Sequence, residues 1–110
     1  MKSQGDKMKL ILDKEINLKE ANTFTNRLLG LMFKTNIQEG LVFKTKAIHT
    51  FFMKENIDVI MCDKNNVILY YYSNLKKNKI ILPKKNVYKV YETPANFFNI
   101  KISDKMEVKK

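Results

Sequence analysis

The alternation of hydrophobic and polar positions predicts that most of this chain forms short β-strands. Residues 8–12 alternate weakly and are predicted to form the first strand. Residues 13–18 are expected to pair back onto it through a turn at positions 13–14, where an Asp-Lys pair favours chain reversal. Gly40 marks a further turn, and the apolar run 41–43 after it is typical of a short buried strand.

The same pattern continues through the second half of the chain. Within 57–61, every second side chain is expected on one face, as the two-residue period of a strand requires. The polar turn 63–66, followed by the β-forming run 67–72, predicts a hairpin. The remaining strand patterns are 79–82, 87–92 before Pro94, and one or two short edge strands within 100–108.

One segment has a helical period instead. Its apolar residues recur at three- and four-residue spacing: Ala21, Phe24, Leu28 and Leu31. This stripe predicts an amphipathic helix over about 22–34. The predicted fold class is therefore mainly β (α+β), a small β-sandwich or distorted barrel with one short helix packed against it.

Length and composition agree with one domain. The chain has 110 residues, of which 45% are hydrophobic, enough for a single core. Residues 8–108 are expected to form that domain, after a flexible tail at 1–7. No apolar run approaches the roughly 18 residues of a membrane span, and the run 8–12 is too short for a secretory signal. Because Cys62 is the only cysteine, no internal disulfide can form, and a cytoplasmic protein is expected. The protein is also expected to be a monomer.

The charge of +10 is compatible with two kinds of polyanionic partner, nucleic acid and anionic membrane. However, Arg27 is the only arginine among 21 basic residues, and proteins that read bases and phosphates usually employ arginine as well as lysine. The lysines are also scattered, apart from clusters at 76–79, 84–85 and 109–110. A solvated lysine surface is therefore preferred over specific nucleic-acid binding.

Several short motifs occur together, in a fixed order. They are Ala21, Arg27-Leu28-Leu29-Gly30-Leu31-Met32, Gly40-Leu41-Val42-Phe43, His49-Thr50-Phe51-Phe52-Met53, and Ile57-Asp58-Val59-Ile60 with Asp63. In this combination the chain resembles a prokaryotic family known as the domain of unknown function 192, over roughly residues 8–108. The resemblance implies a mostly β fold with a helix over the 27–32 motif, and it implies no established reaction.

The chain departs from that family at two glycines near the C-terminus. The family's Leu-Pro-Ala-Gly sequence is replaced by Thr93-Pro94-Ala95-Asn96, and its later Gly-Asp turn by Ser103-Asp104. Asparagine is compatible with a positive φ, whereas serine is less suited to it. We therefore expect Asn96 to keep its turn and the turn at Ser103 to be remodelled.

The candidate ligand-binding residues combine charged and apolar side chains: Arg27, His49, Phe51, Met53, Asp58 and Glu92. Arg27 has two interpretations, because its guanidinium can clamp a carboxylate or phosphate of a ligand, or pair internally with Asp58 or Glu92. Asp58 is a functional acid, a structural partner or a surface acid that points to solvent. The aromatic and methionine residues are either a pocket lining or part of the core.

His49 and Cys62 carry the most versatile chemistry of the chain. His49 is a candidate general base, ligand contact or structural histidine, but no familiar metal-ligand spacing surrounds it, so no metal and no cofactor are expected. Cys62 adjoins Asp63, which disfavours a thiolate, so an inert buried thiol is predicted.

The leading functional hypothesis is a non-catalytic module that binds a small polar or anionic ligand or a peptide. An alternative is an enzyme that uses His49 or Asp58 as acid or base, with Arg27 orienting an anionic substrate. A second alternative is a basic nucleic-acid accessory protein. The chain has no glycine-rich phosphate loop, no nucleophile turn and no cysteine pair, which argues against familiar nucleotide, hydrolase and zinc chemistries.

Overall fold

The computed structural model describes residues 8–20, 39–46, 48–49 and 55–110, and these form a mainly β structure without helix. Nine strands follow one another along the chain: β1 (Met8–Ile11), β2 (Glu15–Glu20), β3 (Gly40–Phe43), β4 (Ile48–His49), β5 (Ile57–Cys62), β6 (Ile68–Leu75), β7 (Ile80–Ile81), β8 (Lys89–Pro94) and β9 (Glu107–Lys109). The predicted helix over 22–34 and the predicted tail at 1–7 lie outside the described residues.

Seven of these strands form one sheet, in the order β6-β5-β8-β3-β2-β1-β9. All its neighbours are antiparallel except β2 and β3, which are parallel. Parallel neighbours need a crossover of about a dozen residues or more, and the chain between β2 and β3 is long enough for one. The remaining two strands, β4 and β7, pair with each other in a separate ribbon.

The large sheet is curled into a half-barrel. The segment just before β9 returns to the start of β6, where the amide of Ile68 donates to the carbonyl of Asp104 at 2.8 Å. The amide of Ser103 donates to the carbonyl of Ile68 at 2.9 Å, and Val67 forms an isolated bridge with Lys105. These bonds bring the two ends of the sheet together. Of the two predicted architectures, the distorted barrel therefore describes this sheet better than the β-sandwich does.

Both faces of the large sheet are buried, and each carries its own core. The larger core draws on almost every strand of the sheet: Leu10, Ile16, Leu18, Val42, Ile60, Cys62, Ile68, Tyr91, Phe98 and Met106. The smaller core covers the other face of β3, β5 and β8 and includes Ile81 of the β4–β7 ribbon: Leu41, Phe43, Ile57, Val59, Met61, Ile81, Val87 and Val90. Strand β5 is therefore buried along its whole length.

Two expectations about the C-terminal half need correction. The strand predicted at 87–92 is shifted, because β8 begins at Lys89 and includes Pro94. Val87 instead packs into the smaller core, after a left-handed residue at Asn86. The turn predicted to be remodelled at Ser103 keeps a positive φ of 81°, so that prediction is wrong, whereas Asn96, with φ of 62°, behaves as expected.

Candidate functional site

Asp58 lies at the centre of a buried hydrogen-bond network. Its side chain, only 1% exposed, faces the larger core from the second residue of β5. Oδ2 accepts a hydrogen bond from the Tyr71 hydroxyl at 2.7 Å and another from the backbone amide of Asn96 at 3.0 Å. Oδ1 accepts from the backbone amide of Asn74 at 2.7 Å. The carboxylate thus joins three segments of chain, and burial closes it to solvent.

The local backbone explains why these amides reach Asp58. The pairing of β5 with β6 slips between the Ile57–Leu75 pair and the Val59–Tyr72 pair, which is a β-bulge opposite Asp58. Asn74 lies in that bulge with a φ of 54°. Asparagine tolerates this left-handed conformation better than most residues, so the bulge can turn its amide toward the carboxylate.

Glu92 is also fully buried, but it belongs to the opposite face of the sheet. It lies directly across from Leu41 on one side and Val59 on the other, and both of these belong to the smaller core. Directly opposed residues in an antiparallel pair share a face. Asp58 and Glu92 therefore sit on neighbouring strands without meeting, and the sheet separates the two carboxylates.

The other candidate residues are less completely described. His49 lies in β4, paired with Ile80 of β7, and the described structure does not include its side chain. Arg27, Phe51 and Met53 lie outside the described residues. Their roles as ligand contacts remain predictions. Among the described residues, no group of three or more His, Cys, Asp or Glu side chains is placed to hold a metal ion.

Cys62 has the environment of an inert thiol. It is fully buried in the larger core, and this burial raises its thiol pKa from 9.0 to about 12, with Lys89 opposing the shift and Asp63 adding to it. Burial also raises the pKa of the neighbouring Tyr91 phenol, whose hydroxyl donates to Asn66 at 2.7 Å. At neutral pH the Cys62 thiol keeps its proton, so it is not a nucleophile.

Sequence reasoning missed a surface cleft beside the β5–β6 turn. This Lys46–Lys64 cleft has a volume of about 450 Å³, and its lining is Lys46, Asp63, Lys64, Asn65, Leu69, Asn86, Val87 and Tyr88. Its lining residues come from three separated parts of the chain, so no local pattern could have revealed it. The available signals were the turn-forming Lys-Asn sequences and a tyrosine, Tyr88, that remains about half exposed.

The acid of the cleft, Asp63, serves its own turn. Its Oδ1 accepts hydrogen bonds from the backbone amides of Asn65 at 2.8 Å and Val67 at 3.0 Å. This is the geometry by which an aspartate caps a tight turn with its side chain. The rest of the lining combines two lysines and two asparagines with the apolar and aromatic residues Leu69, Val87 and Tyr88.

Comparison with known proteins places the chain in a family. The family model described as DUF192, "Uncharacterized ACR", matches residues 7–109. The chain belongs to the DUF192 family. This confirms the resemblance inferred from the motifs, and it adds no reaction, because the family itself is uncharacterised.

The curated relatives of this DUF192 chain include proteins named UPF0127. One from Thermococcus kodakarensis is 37% identical in an alignment of 85 positions that covers 71% of this chain and 54% of that protein. One from Thermococcus sibiricus is 32% identical in an alignment of 103 positions that covers 82% of this chain and 64% of that protein. The matched part thus spans little more than half to about two thirds of these relatives.

Two solved structures share the fold. A Novosphingobium aromaticivorans protein of unknown function superposes with a TM-score of 0.71 at 16% identity, covering 92% of this chain and 83% of that one. A Sinorhizobium meliloti protein, provisionally named a transcription regulator, has a TM-score of 0.72 at 17% identity, covering 93% and 92%. At such identities the likeness concerns the fold alone. In the described part of the DUF192 chain, no helix has the length and apolarity needed to cross a bilayer.

Proposed function

We propose that this DUF192 chain is a non-catalytic binding domain, and that it takes a small organic anion in the Lys46–Lys64 cleft. The observation that carries the proposal is the lining of that cleft, which brings two lysines and two asparagines together with Leu69, Val87 and Tyr88. Small-molecule sites are commonly concave and apolar with a few convergent polar groups, and about 450 Å³ lies within their usual range.

The charge around the cleft favours an anion over a cation. Oδ1 of Asp63, the only acid among the described lining residues, already accepts two backbone amides. The chain from residue 64 to residue 91 contains seven lysines and no acidic residue. The lining has two lysines against one aspartate, so positive charge predominates there, and a cleft in which one sign of charge predominates concentrates ligands of the opposite sign.

The state of the buried groups supports binding over acid-base catalysis. Asp58 is buried and accepts three hydrogen bonds, so a substrate has no access to its oxygens. Cys62 holds its proton inside the core. A general base must instead come within hydrogen-bond reach of the proton that it abstracts.

Arg27, His49, Phe51 and Met53 are proposed to extend the binding surface beyond the cleft. The link is one of chain connection, since Lys46 in the cleft lining precedes His49 of β4 by three residues. In this proposal Arg27 is either a ligand clamp or an internal partner of a buried acid. Variants at Arg27 and His49 are therefore to be tested in the same ligand titration as the cleft variants.

The test is a titration followed by amide chemical shifts, with benzoate, phenyl phosphate and inorganic phosphate as probes. Benzyl alcohol and benzylamine are the neutral and cationic controls. We expect the aromatic anions to shift the amides of Lys64, Asn65 and Tyr88, and we expect the double variant Lys46→Gln/Lys64→Gln to bind about tenfold more weakly. The matched control is Lys105→Gln/Lys109→Gln, which removes two charges outside the cleft.

The outcome separates the proposal from its alternatives. Equal shifts with the neutral and cationic analogues, or equal weakening by the two double variants, would show that the cleft has no preference for anions. Turnover of any probe that is lost in His49→Ala, with the melting temperature unchanged, would favour the enzyme instead.

A further inference from the structure

A short apolar ridge stands out on the β4–β7 ribbon. Ile80 and Leu82 are 59% and 67% exposed, more than any other large hydrophobic side chain of the described residues. Ile81 between them is buried in the smaller core. Because side chains alternate along an extended segment, Ile80 and Leu82 project together from the face turned away from the protein. The core anchors the ridge from below through Ile81.

Lysines flank this ridge on both sides. Lys76, Lys77 and Lys79 precede it and Lys84 and Lys85 follow it, with no acidic residue anywhere between 64 and 91. On the following side, the Lys84 ammonium lies 5.8 Å from the centroid of the Tyr70 ring, which is itself partly exposed. The segment 76–85, here named the lysine ridge, therefore combines exposed aliphatic side chains with concentrated positive charge.

We propose that the lysine ridge docks onto an anionic lipid surface. Ile80 and Leu82 enter the boundary between headgroups and acyl chains, while the flanking lysines contact the lipid phosphates. Interfacial binding of this kind scales with the apolar area buried and with attraction to anionic lipids, and the ridge presents both. Tyrosines at the height of the headgroups, such as Tyr70, match the usual aromatic preference for that zone.

The composition of the ridge favours lipid over nucleic acid. Single-stranded nucleic acids are held by aromatic rings on which bases stack, and duplex bases are read mainly by planar side chains such as arginine. The tip of the ridge offers branched aliphatic side chains instead, which have no stacking face. Burial of these side chains is favourable in a membrane interface and contributes little on a phosphate backbone.

The test is cosedimentation of the whole chain with large vesicles. One set is made of phosphatidylcholine alone, and the other of phosphatidylcholine with about 30% of the anionic lipid phosphatidylglycerol, since anionic surfaces attract basic segments. We expect binding to the anionic vesicles only. The variants Ile80→Ser/Leu82→Ser and Lys84→Gln/Lys85→Gln should each weaken it about tenfold. Ile102→Ser, at another exposed aliphatic, is the matched control and should bind as the unmodified chain does.

Two results would overturn the lipid-docking proposal. No binding of the unmodified chain to anionic vesicles overturns the proposal. Unchanged vesicle binding of Ile80→Ser/Leu82→Ser also overturns it, because attraction of the lysines to any polyanion would then explain the binding. A DNA duplex, measured in parallel, is the polyanion without an apolar interior. Lys46→Gln/Lys64→Gln should retain vesicle binding, so the proposal stands or falls independently of the anion cleft.

Discussion

The carboxylate of Asp58 accepts a hydrogen bond from the backbone amide of Asn96 at 3.0 Å, and this bond ties the turn after β8 to the start of β5. Asn96 reaches it with a φ of 62°, a conformation that glycine or asparagine adopts readily. The same carboxylate also receives the Tyr71 hydroxyl and the Asn74 amide. A residue that looked like a candidate catalytic acid in the sequence is therefore placed as a link between three segments.

We expect Asp58→Asn to lower the free energy of unfolding by about 2–4 kcal/mol. The NH₂ group of the asparagine would face one or two of the three donors whose hydrogen bonds Asp58 accepts. Those donors would lose their acceptor, and a buried donor without an acceptor is costly. Urea denaturation, with the midpoint and slope fitted together, measures the change.

Glu107→Gln is the matched control, because it neutralises an exposed carboxylate and should change stability by less than about 0.5 kcal/mol. An Asp58→Asn protein as stable as the unmodified chain would contradict the structural role of Asp58 and would favour its interpretation as a functional acid.

Ser103 is expected to be a site of backbone strain. Its φ of 81° is unfavourable for a residue with a Cβ atom, yet its amide bonds to Ile68 and thereby helps to join the ends of the sheet. We expect Ser103→Gly to raise the free energy of unfolding by about 0.5–1 kcal/mol, after allowing for the greater freedom of glycine in the unfolded chain. Thermal unfolding would detect this as a rise of a few degrees.

Asn96→Gly is the comparison for this prediction, since asparagine already tolerates a positive φ and the exchange should matter less. Ser103→Val should destabilise the protein, because a β-branched side chain is poorly accommodated at positive φ. A stabilising Ser103→Val variant would show that the turn in solution has a different backbone conformation.

Of the two internal partners predicted for Arg27, we expect Glu92 rather than Asp58. Glu92 is wholly buried, and an ionised carboxylate in that position requires a cation or strong donors, whereas Asp58 already accepts three described hydrogen bonds. In a double-mutant cycle with Arg27→Gln and Glu92→Gln, we expect a coupling energy of about 2 kcal/mol or more in unfolding free energy.

The corresponding cycle between Arg27→Gln and Asp58→Asn is the internal control and should be additive within about 0.5 kcal/mol. Coupling to Asp58 with none to Glu92 would reject the assignment. Additivity in both cycles would instead favour Arg27 as a residue that contacts a ligand.

Cys62 should make stability fall at alkaline pH. Its folded pKa, about 12, lies above the unfolded value of 9.0, so its contribution is complete below pH 9 and is lost as pH rises toward 12. From pH 9 to pH 10 we expect a loss of about 1 kcal/mol from this group.

The Cys62→Ala variant should show a flatter dependence over the same interval. A smaller loss should remain near pH 10, because burial also raises the pKa values of Tyr71 and Tyr91 above 10.0, the value at which they titrate in the unfolded chain. Alkylation by iodoacetamide should proceed only when denaturant opens the core. Rapid alkylation of the folded protein would contradict the inert-thiol interpretation.

The strand pattern was largely predictable from local sequence, while the site was not. The hairpin between β5 and β6 and the pairing of β1 with β2 follow from two-residue alternation and polar turns, which act over short stretches of chain. The short β4–β7 ribbon was not predictable as a pair, because its strands are only two residues long and some thirty residues apart. Alternation also cannot reveal that both faces of β5 are buried.

The sequence by itself determined that the DUF192 chain is mainly β, which family it belongs to and where most of its strands fall, because backbone preference and side-chain alternation are local properties. Only the tertiary structure decided that Asp58 and Glu92 face opposite sides of one sheet, and that Lys46, Lys64 and Tyr88 line a common cleft. Those relationships depend on strand order and register, and these are set by long-range packing between segments that the local pattern leaves unpaired.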